Sequence, residues 1–341
     1  MTRAGLVEGH ASVDLETPPV THNPGLNVLS LCDGMSCGQI AFEKAGIKVD
    51  KYYASEIKEC AINATKHNLP NTIYVGDVTK IKYSDGILYT EFGEFKENFD
   101  IVIFGSPCQS FSRAMKTEMR VGLNDMKRSG LFLECNRILK EVNPKYFLME
   151  NVIMKPEDED AVSKLIGVTP IRINASLVSA QLRDRLYWTN IEGVTIPKDK
   201  NIKLSDIIVD GYTHLTKAKC LRMCDSHGDF NGCNWNAPAR YHRSINKCFG
   251  TMIFKSKEQY LACKKKSEEL CNGRPSRAEY FNTYTGNEFD GMRYLWKEER
   301  ARLQGVPEKY VECMSEKDAA DMLGDGWNVD VIAHIFSFMD A

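Results

Sequence analysis

Between Asn27 and Val152 short apolar runs alternate with helical stretches, and most of the runs stop at a glycine or an acid. "NVLSLCD" is followed by the turn "GMSCG" and by the helical "QIAFEKAG", which Gly46 closes. "DKYYASE" leads into a helix through "IKECAINATKHN", "TIYVGDV" is a third run and "FDIVIFGSP" a fourth. "SGLFLECNRILKEVN" has amphipathic helical spacing, and "KYFLMENV" reads as a fifth strand. Strands alternating with helices of about 10–15 residues predict an α/β fold with a parallel, doubly wound sheet. Ligands of such sheets bind beyond the carboxyl ends of the strands. Asp33, Glu56, Asp77, Cys108 and Glu150 all fall at such ends.

After "LYWTNI" the alternation stops, and the chain becomes richer in Gly, Asn, Lys and Cys without a clear period. Regularity returns with "LWKEERARLQG" and with "WNVDVIAHIFSFM", whose apolar residues have helical spacing. The expected organisation is a regular domain of residues 26–192 plus 316–341, interrupted by a smaller irregular domain of residues 193–315. Residues 1–25, a mixture of Pro, Thr, His and Gly without an apolar segment, read as a loose arm and not as a secretory signal. No stretch approaches the roughly 20 apolar residues that span a bilayer. Twelve cysteines in a chain of 341 residues are expected to be reduced thiols in a cytosol, since small stapled scaffolds are far shorter. The net charge of −2 lends no support to nucleic-acid binding, although a local basic face would suffice for it.

The chemistry concentrates at the strand ends. In "GSPCQSFS" a proline directly precedes Cys108, where an apolar strand has just stopped. Proline fixes its own φ and extends the residue before it, so this cysteine projects from a rigid bend. Most free cysteines are buried packing residues; one at a ligand-binding sheet edge suits a nucleophile. A thiol needs help to react at neutral pH, and Glu150 in "MENV" ends the next strand. A thiolate to add and a carboxylic acid to protonate are the pair that attack on an electron-poor ring requires. Glu56 follows Gly34 by about 20 residues, the spacing at which a carboxylate accepts from ribose hydroxyls. Asp77 in "GDV" could accept from an adenine amino group; the competing role for both acids is to cap the helices that follow.

"SAQLRDRLYW" sets Arg183 and Arg185 at alternate positions with Gln181, which on a strand would put them on one face. They could clamp a phosphate or an anionic ring oxygen, or belong to a solvated face. "RAMKTEMRVGLNDMKRSG" is long, basic and glycine-containing, the composition of a lid over phosphates. "KCFGTMIFK" and the basic "CKKKSEELCNGRPSR" are candidate contacts for an anionic partner, although Lys264–Lys266 could equally form a solvated helix face. "CLRMCDSHGDFNGC" offers Cys220, Cys224, His227 and Cys233 to a zinc ion, but only Cys220 and Cys224 have knuckle spacing, so no metal is expected.

"LSLCDGMSCG", "ASE", "GDV", "GSPCQSFS", "MENV", "QLRDR", "RLQGVP" and "GWNV" occur in the order found in DNA (cytosine-5)-methyltransferases, and the chain resembles that family from Asn27 to Met339 outside its middle segment. "LSLCDGMSCG", "VDKYYASEI", "FDIVIFGSPC" and the tryptophan of "GWNV" are similar to the catalytic domain of the animal de novo enzymes. "SPCQSFS" resembles the bacterial form. Without the animal regulatory domains, a stand-alone prokaryotic or viral enzyme is expected, in a bacterial or viral-host cytosol, or in a nucleus if the source is eukaryotic.

The resemblance implies a Rossmann-like S-adenosylmethionine-dependent methyltransferase sheet with an irregular target-recognition domain. It implies S-adenosylmethionine held by Leu31, Asp33, Gly34, Met35, Ser36, Glu56, Ile57, Asp77, Val78, Ser106, Pro107, Trp327, Asn328 and Val329. It also implies double-stranded DNA met by Gln109, Ser112, Arg113, Lys127 and Arg128. Cys108 would add to C6 of a flipped-out cytosine, Glu150 would bond N3 and the amino group, and Arg183, with Arg185 beside it, would steady the ring and the flanking phosphate. Methylation of RNA cytosine, which "GSPCQ" weighs against, or of a free nucleotide is the alternative reaction. A non-catalytic accessory protein is the alternative class, although here both nucleophile and cofactor loop are intact.

Overall fold

The computed structural model describes residues 25–106, 130–222, 241, 250–271 and 286–340. Pro107, Cys108, Gln109, Ser112, Arg113, Lys127 and Arg128 lie outside the described residues, as do Cys224, His227, Cys233 and residues 1–24 of the arm.

Seven strands form one sheet in the order β3 (Ile73–Tyr74), β2 (Val49–Ser55), β1 (Leu26–Leu31), β7 (Ile101–Phe104), β8 (Tyr146–Val152), β10 (Asp184–Thr189) and β9 (Ile171–Asn174). All pairs from β3 to β8 are parallel. The expected parallel, doubly wound sheet thus forms its body, and at one edge β10 runs antiparallel to both β8 and β9. Only a short 3₁₀ turn, Ala175–Leu177, and a few loop residues join β9 to β10, too little for the helical crossover that a parallel return needs.

Successive strand residues face opposite sides, and both sides are covered. Val28, Tyr52, Ala54, Ile101, Ile103 and Leu148 share a buried cluster with helix α1 (Cys37–Ala45) and with the last helix, Val329–Phe336. Leu29, Leu31, Tyr53, Val102, Phe104 and Met149 share another with α3 (Gly130–Val142) and with Val162 of α4 (Pro156–Ile166). Phe132, Cys135, Asn136, Ile138 and Leu139 make the buried stripe of α3, the spacing of an amphipathic helix. Helix α2 (Glu59–Asn68) links β2 to β3. Gly46 ends α1 at φ 72°, a left-handed C-cap that glycine adopts without penalty.

Between β3 and β7 lies a meander of β4 (Lys82–Ser84), β5 (Ile87–Thr90) and β6 (Gly93–Lys96) that the strand–helix pattern did not announce. Asp85 and Gly86, at φ 54° and 76°, form the two-residue turn between its first strands. Downstream, β11 (Met252–Ile253) pairs with β12 (Arg293–Tyr294) beside helix α5 (Lys257–Cys271). Tyr241, Met252, Phe254, Cys263, Phe289 and Tyr294 form a small core of their own there. Helices α6 (Lys297–Gln304), α7 (Glu316–Asp325) and α8 (Val329–Phe336) return to the sheet, and Phe336 stacks on Phe42 of α1 at 4.1 Å. No helix among the described residues is long and apolar enough to cross a membrane.

Candidate active site

The strand order reverses between β1 and β7, and a cleft of about 350 Å³ opens at the carboxyl ends of the strands there. Asp33, Gly34, Glu56, Ile57, Asp77, Val78, Ser106, Glu150, Arg183, Arg185 and Trp327 all line it. Residues far apart in sequence thus meet: the acids and Ser106 come from the carboxyl ends of parallel strands, Arg183 and Arg185 from the start of the antiparallel β10, and Trp327 from the link between the last two helices.

The turn from β1 to α1 is a tight, left-handed construction: Cys32, Gly34 and Ser36 have φ of 53°, 61° and 55°. Asp33 is the peg inside it. Its carboxylate accepts from the Ser30 hydroxyl at 2.6 Å, from Tyr52 at 2.7 Å and from the Ser36 hydroxyl. Burial raises the Asp33 carboxyl to about 6 even though these three donors favour the anion. Glu56 closes the turn from the next strand. Its Oε2 accepts the Gly34 N–H at 2.7 Å, and its Oε1 accepts those of Ile57 and Lys58 at 2.8 Å each. Asp77 caps the 3₁₀ turn Val78–Lys80 by accepting from Thr79 N–H at 2.9 Å, while its own N–H donates to Glu91 at 3.1 Å. The capping role is therefore real for Asp77, and both acids still face the cleft.

Trp327 crosses from the loop after α7. A Cβ on Gly105 would sit 2.6 Å from its indole Nε1, so only glycine at the end of β7 leaves room for the ring. Lys58 and Asp325 face each other at 3.6 Å at the same end of the cleft.

At the other end stands Glu150, 8% exposed, paired through Oε1 with Arg185 Nε at 2.9 Å. Phe104 is in register with Met149, which brings Glu150 level with Gly105 and beside the segment leading to Cys108. Asn151 secures that segment: its amide donates to the Ser106 hydroxyl at 3.2 Å. Arg183 is buried, and its guanidinium donates to the carbonyls of Leu221, Gly324 and Gly326. Gln181, Arg183 and Arg185 all reach residues 220–221, so the alternation did place them on one face. That face is interior, not solvated.

The structure takes five of the expected cofactor residues out of the cleft lining. Leu31, Met35 and Val329 are core side chains, each at most 1% exposed. Ser36 is turned inward onto Asp33. Asn328 caps α8 by accepting from Val331 N–H and donates to Leu303 O. These residues build the loops, and their neighbours face the ligand space. Asn151, Gly105 and Glu91 are contributors that the residue patterns did not single out. Asn151 and Gly105 adjoin the quoted motifs, whereas nothing in the sequence ties Glu91 to Asp77. Among the described residues no cluster of His, Cys, Asp and Glu could hold a metal ion.

The family model described as "C-5 cytosine-specific DNA methylase" matches residues 26–166 and 178–340. The Type II methyltransferase M.NgoBV of Neisseria gonorrhoeae is 34% identical over 146 residues, 41% of this chain and 31% of its own length. The Type II methyltransferase M.NgoPII of the same organism is 32% identical over 215 residues, 56% of this chain and 58% of its own length. The chain thus matches less than two thirds of either relative. The structure of the Entamoeba histolytica methyltransferase EhMeth has a similar fold, with a TM-score of 0.63 and 13% identity over 93% of this chain and 98% of that one. The match of the family model along nearly the whole described length makes this chain a member of the C-5 cytosine-specific DNA methylase family.

Proposed function

We propose that the protein transfers a methyl group from S-adenosylmethionine to C5 of cytosine in double-stranded DNA. The observation that carries this reading is one cleft with two chemically distinct ends: preset carboxylates Glu56 and Asp77 at one, and Glu150 with Arg185 at the other.

The first end fits an adenosine-containing cofactor. Glu56 is held by three backbone N–H groups yet keeps lone pairs for ribose hydroxyls, since a carboxylate has about four acceptor sites. Asp77 suits an adenine amino group, and Ile57, Val78 and Trp327 supply apolar walls. Bound there, S-adenosylmethionine supplies an electrophilic methyl group on a sulfonium sulfur.

The chain's own residues do the rest. Cytosine C6 is out of reach within the stack, so the base is flipped out. The Cys108 thiolate adds to C6 as Glu150 gives a proton to N3, which leaves C5 electron-rich. After alkylation, loss of the C5 proton and of the Cys108 thiol restores the aromatic ring. Gln109, Ser112, Arg113, Lys127 and Arg128 meet the DNA, and residues 193–315 select the sequence. Bacterial relatives support a bacterial or viral-host cytosol as the compartment.

The test is covalent capture on duplex DNA containing 5-fluorocytosine, where fluorine replaces the proton that must leave. The expected result is a protein–DNA adduct that requires S-adenosylmethionine and disappears in Cys108→Ser. An adduct surviving that substitution, or turnover on RNA or free nucleotide in preference to duplex, would overturn the proposal.

A further inference from the structure

Cys220 lies between two cations at the target end of the cleft. Its Sγ is 3.5 Å from Arg183 Nη1 and 3.7 Å from Arg185 Nη2. Arg185 at the same time meets Glu150 through Nε at 2.9 Å and the Asp184 carbonyl through Nη1 at 2.9 Å. Burial pushes the Cys220 thiol up, but the two guanidiniums outweigh burial and hold it below the ordinary thiol range.

We propose that Cys220 is a positioning residue for Glu150: its sulfur holds the Nη2 arm of Arg185 and so sets how far the guanidinium closes on the Glu150 carboxyl. Nε and Nη2 are the two donors with which an arginine grips a carboxylate side-on. A sulfur that shares Nη2 limits that grip. Under the methylation reading, on which this inference rests, Glu150 must reach N3 of the base, and a fully closed guanidinium would take up both of its oxygens. Cys220 acts through Arg185 and touches no reacting atom.

The test uses the full chain with Cys220→Val, which removes the acceptor at similar size, and Cys220→Ser, which keeps one. Cys220→Val is expected to lower kcat about tenfold, part of the roughly 10²–10⁴ that a general acid contributes. The KM for DNA, the affinity for S-adenosylhomocysteine and the thermal midpoint should stay within twofold, and Cys220→Ser should regain most of the loss. In parallel, the Arg185 Nε–H resonance, assigned by its loss in Arg185→Lys, should shift in Cys220→Val and return in Cys220→Ser. A valine variant with unchanged kcat and an unmoved resonance, or a serine variant that restores neither, overturns the proposal. If the parent protein proves inactive on duplex DNA, the methylation reading fails, and the resonance alone then decides the positioning.

Discussion

Single carboxyl groups carry the sharpest consequences. Glu150→Gln keeps the shape beside Arg185 but has no proton to give, so methyl transfer should slow by about 10²–10⁴ in single-turnover kinetics. Cofactor affinity should hold, because Glu56 and Asp77 bind at the far end; a rate within threefold of the parent would make Glu150 merely structural. Asp33 behaves differently, since its carboxyl is raised by burial to about 6. An acid whose pKa is higher folded than unfolded binds its proton more tightly when folded. Stability therefore falls as pH climbs from the unfolded value through about 6 and levels off above it. Between pH 5 and pH 7 that loss is about 1 kcal/mol, read as a lower urea midpoint at pH 7. Asp33→Asn should remove this pH-dependent part from the midpoint difference, and an unchanged difference would refute the assignment.

The succession of elements was largely legible, because buried parallel strands such as "IVIF" leave unbroken apolar runs and Gly46 marks the end of α1. The reversal of β10 was not, since a strand's direction depends on the length of the link before it and not on its own residues. The meander was overlooked although "SDGI" carries an aspartate–glycine turn, because its strands are only 3 or 4 residues long and largely polar. In the β1–α1 loop the motif located one end of the cleft but not which side chains turn inward. That is decided by left-handed φ values at Cys32 and Ser36, which composition does not reveal. Fit between elements yields a further prediction at Gly105, where β7 passes under Trp327. Gly105→Ala would push its methyl against the indole, which must shift to make room. Affinity for S-adenosylhomocysteine should fall about tenfold by calorimetry, with the overall fold intact, as overpacking commonly costs about 1–3 kcal/mol. Unchanged affinity would remove Trp327 from the cofactor end.

Across the molecule, the chain leaves the sheet after β10 and comes back to it, so that its last helix stacks Phe336 on Phe42 near the beginning. This return delivers Trp327 to the cleft and lays Gly324 and Gly326 on Arg183. Arg183 also reaches Cys220 and Leu221, next to the arginine that serves Glu150. One guanidinium therefore touches residues near both ends of the cleft, which predicts that occupancy at one end is felt at the other. Such coupling is reciprocal: whatever factor the cofactor adds to DNA affinity, DNA adds to cofactor affinity. Measured both ways by calorimetry with S-adenosylhomocysteine and duplex, the two factors should agree in the parent protein. In Arg183→Lys both should shrink together toward one, because a single ammonium cannot hold three carbonyls and a sulfur at once; a coupling factor unchanged by that substitution would show that the message travels elsewhere. If the two factors shrink together, the arginine turns two binding events into one decision, in which a base is engaged only when the donor is in place.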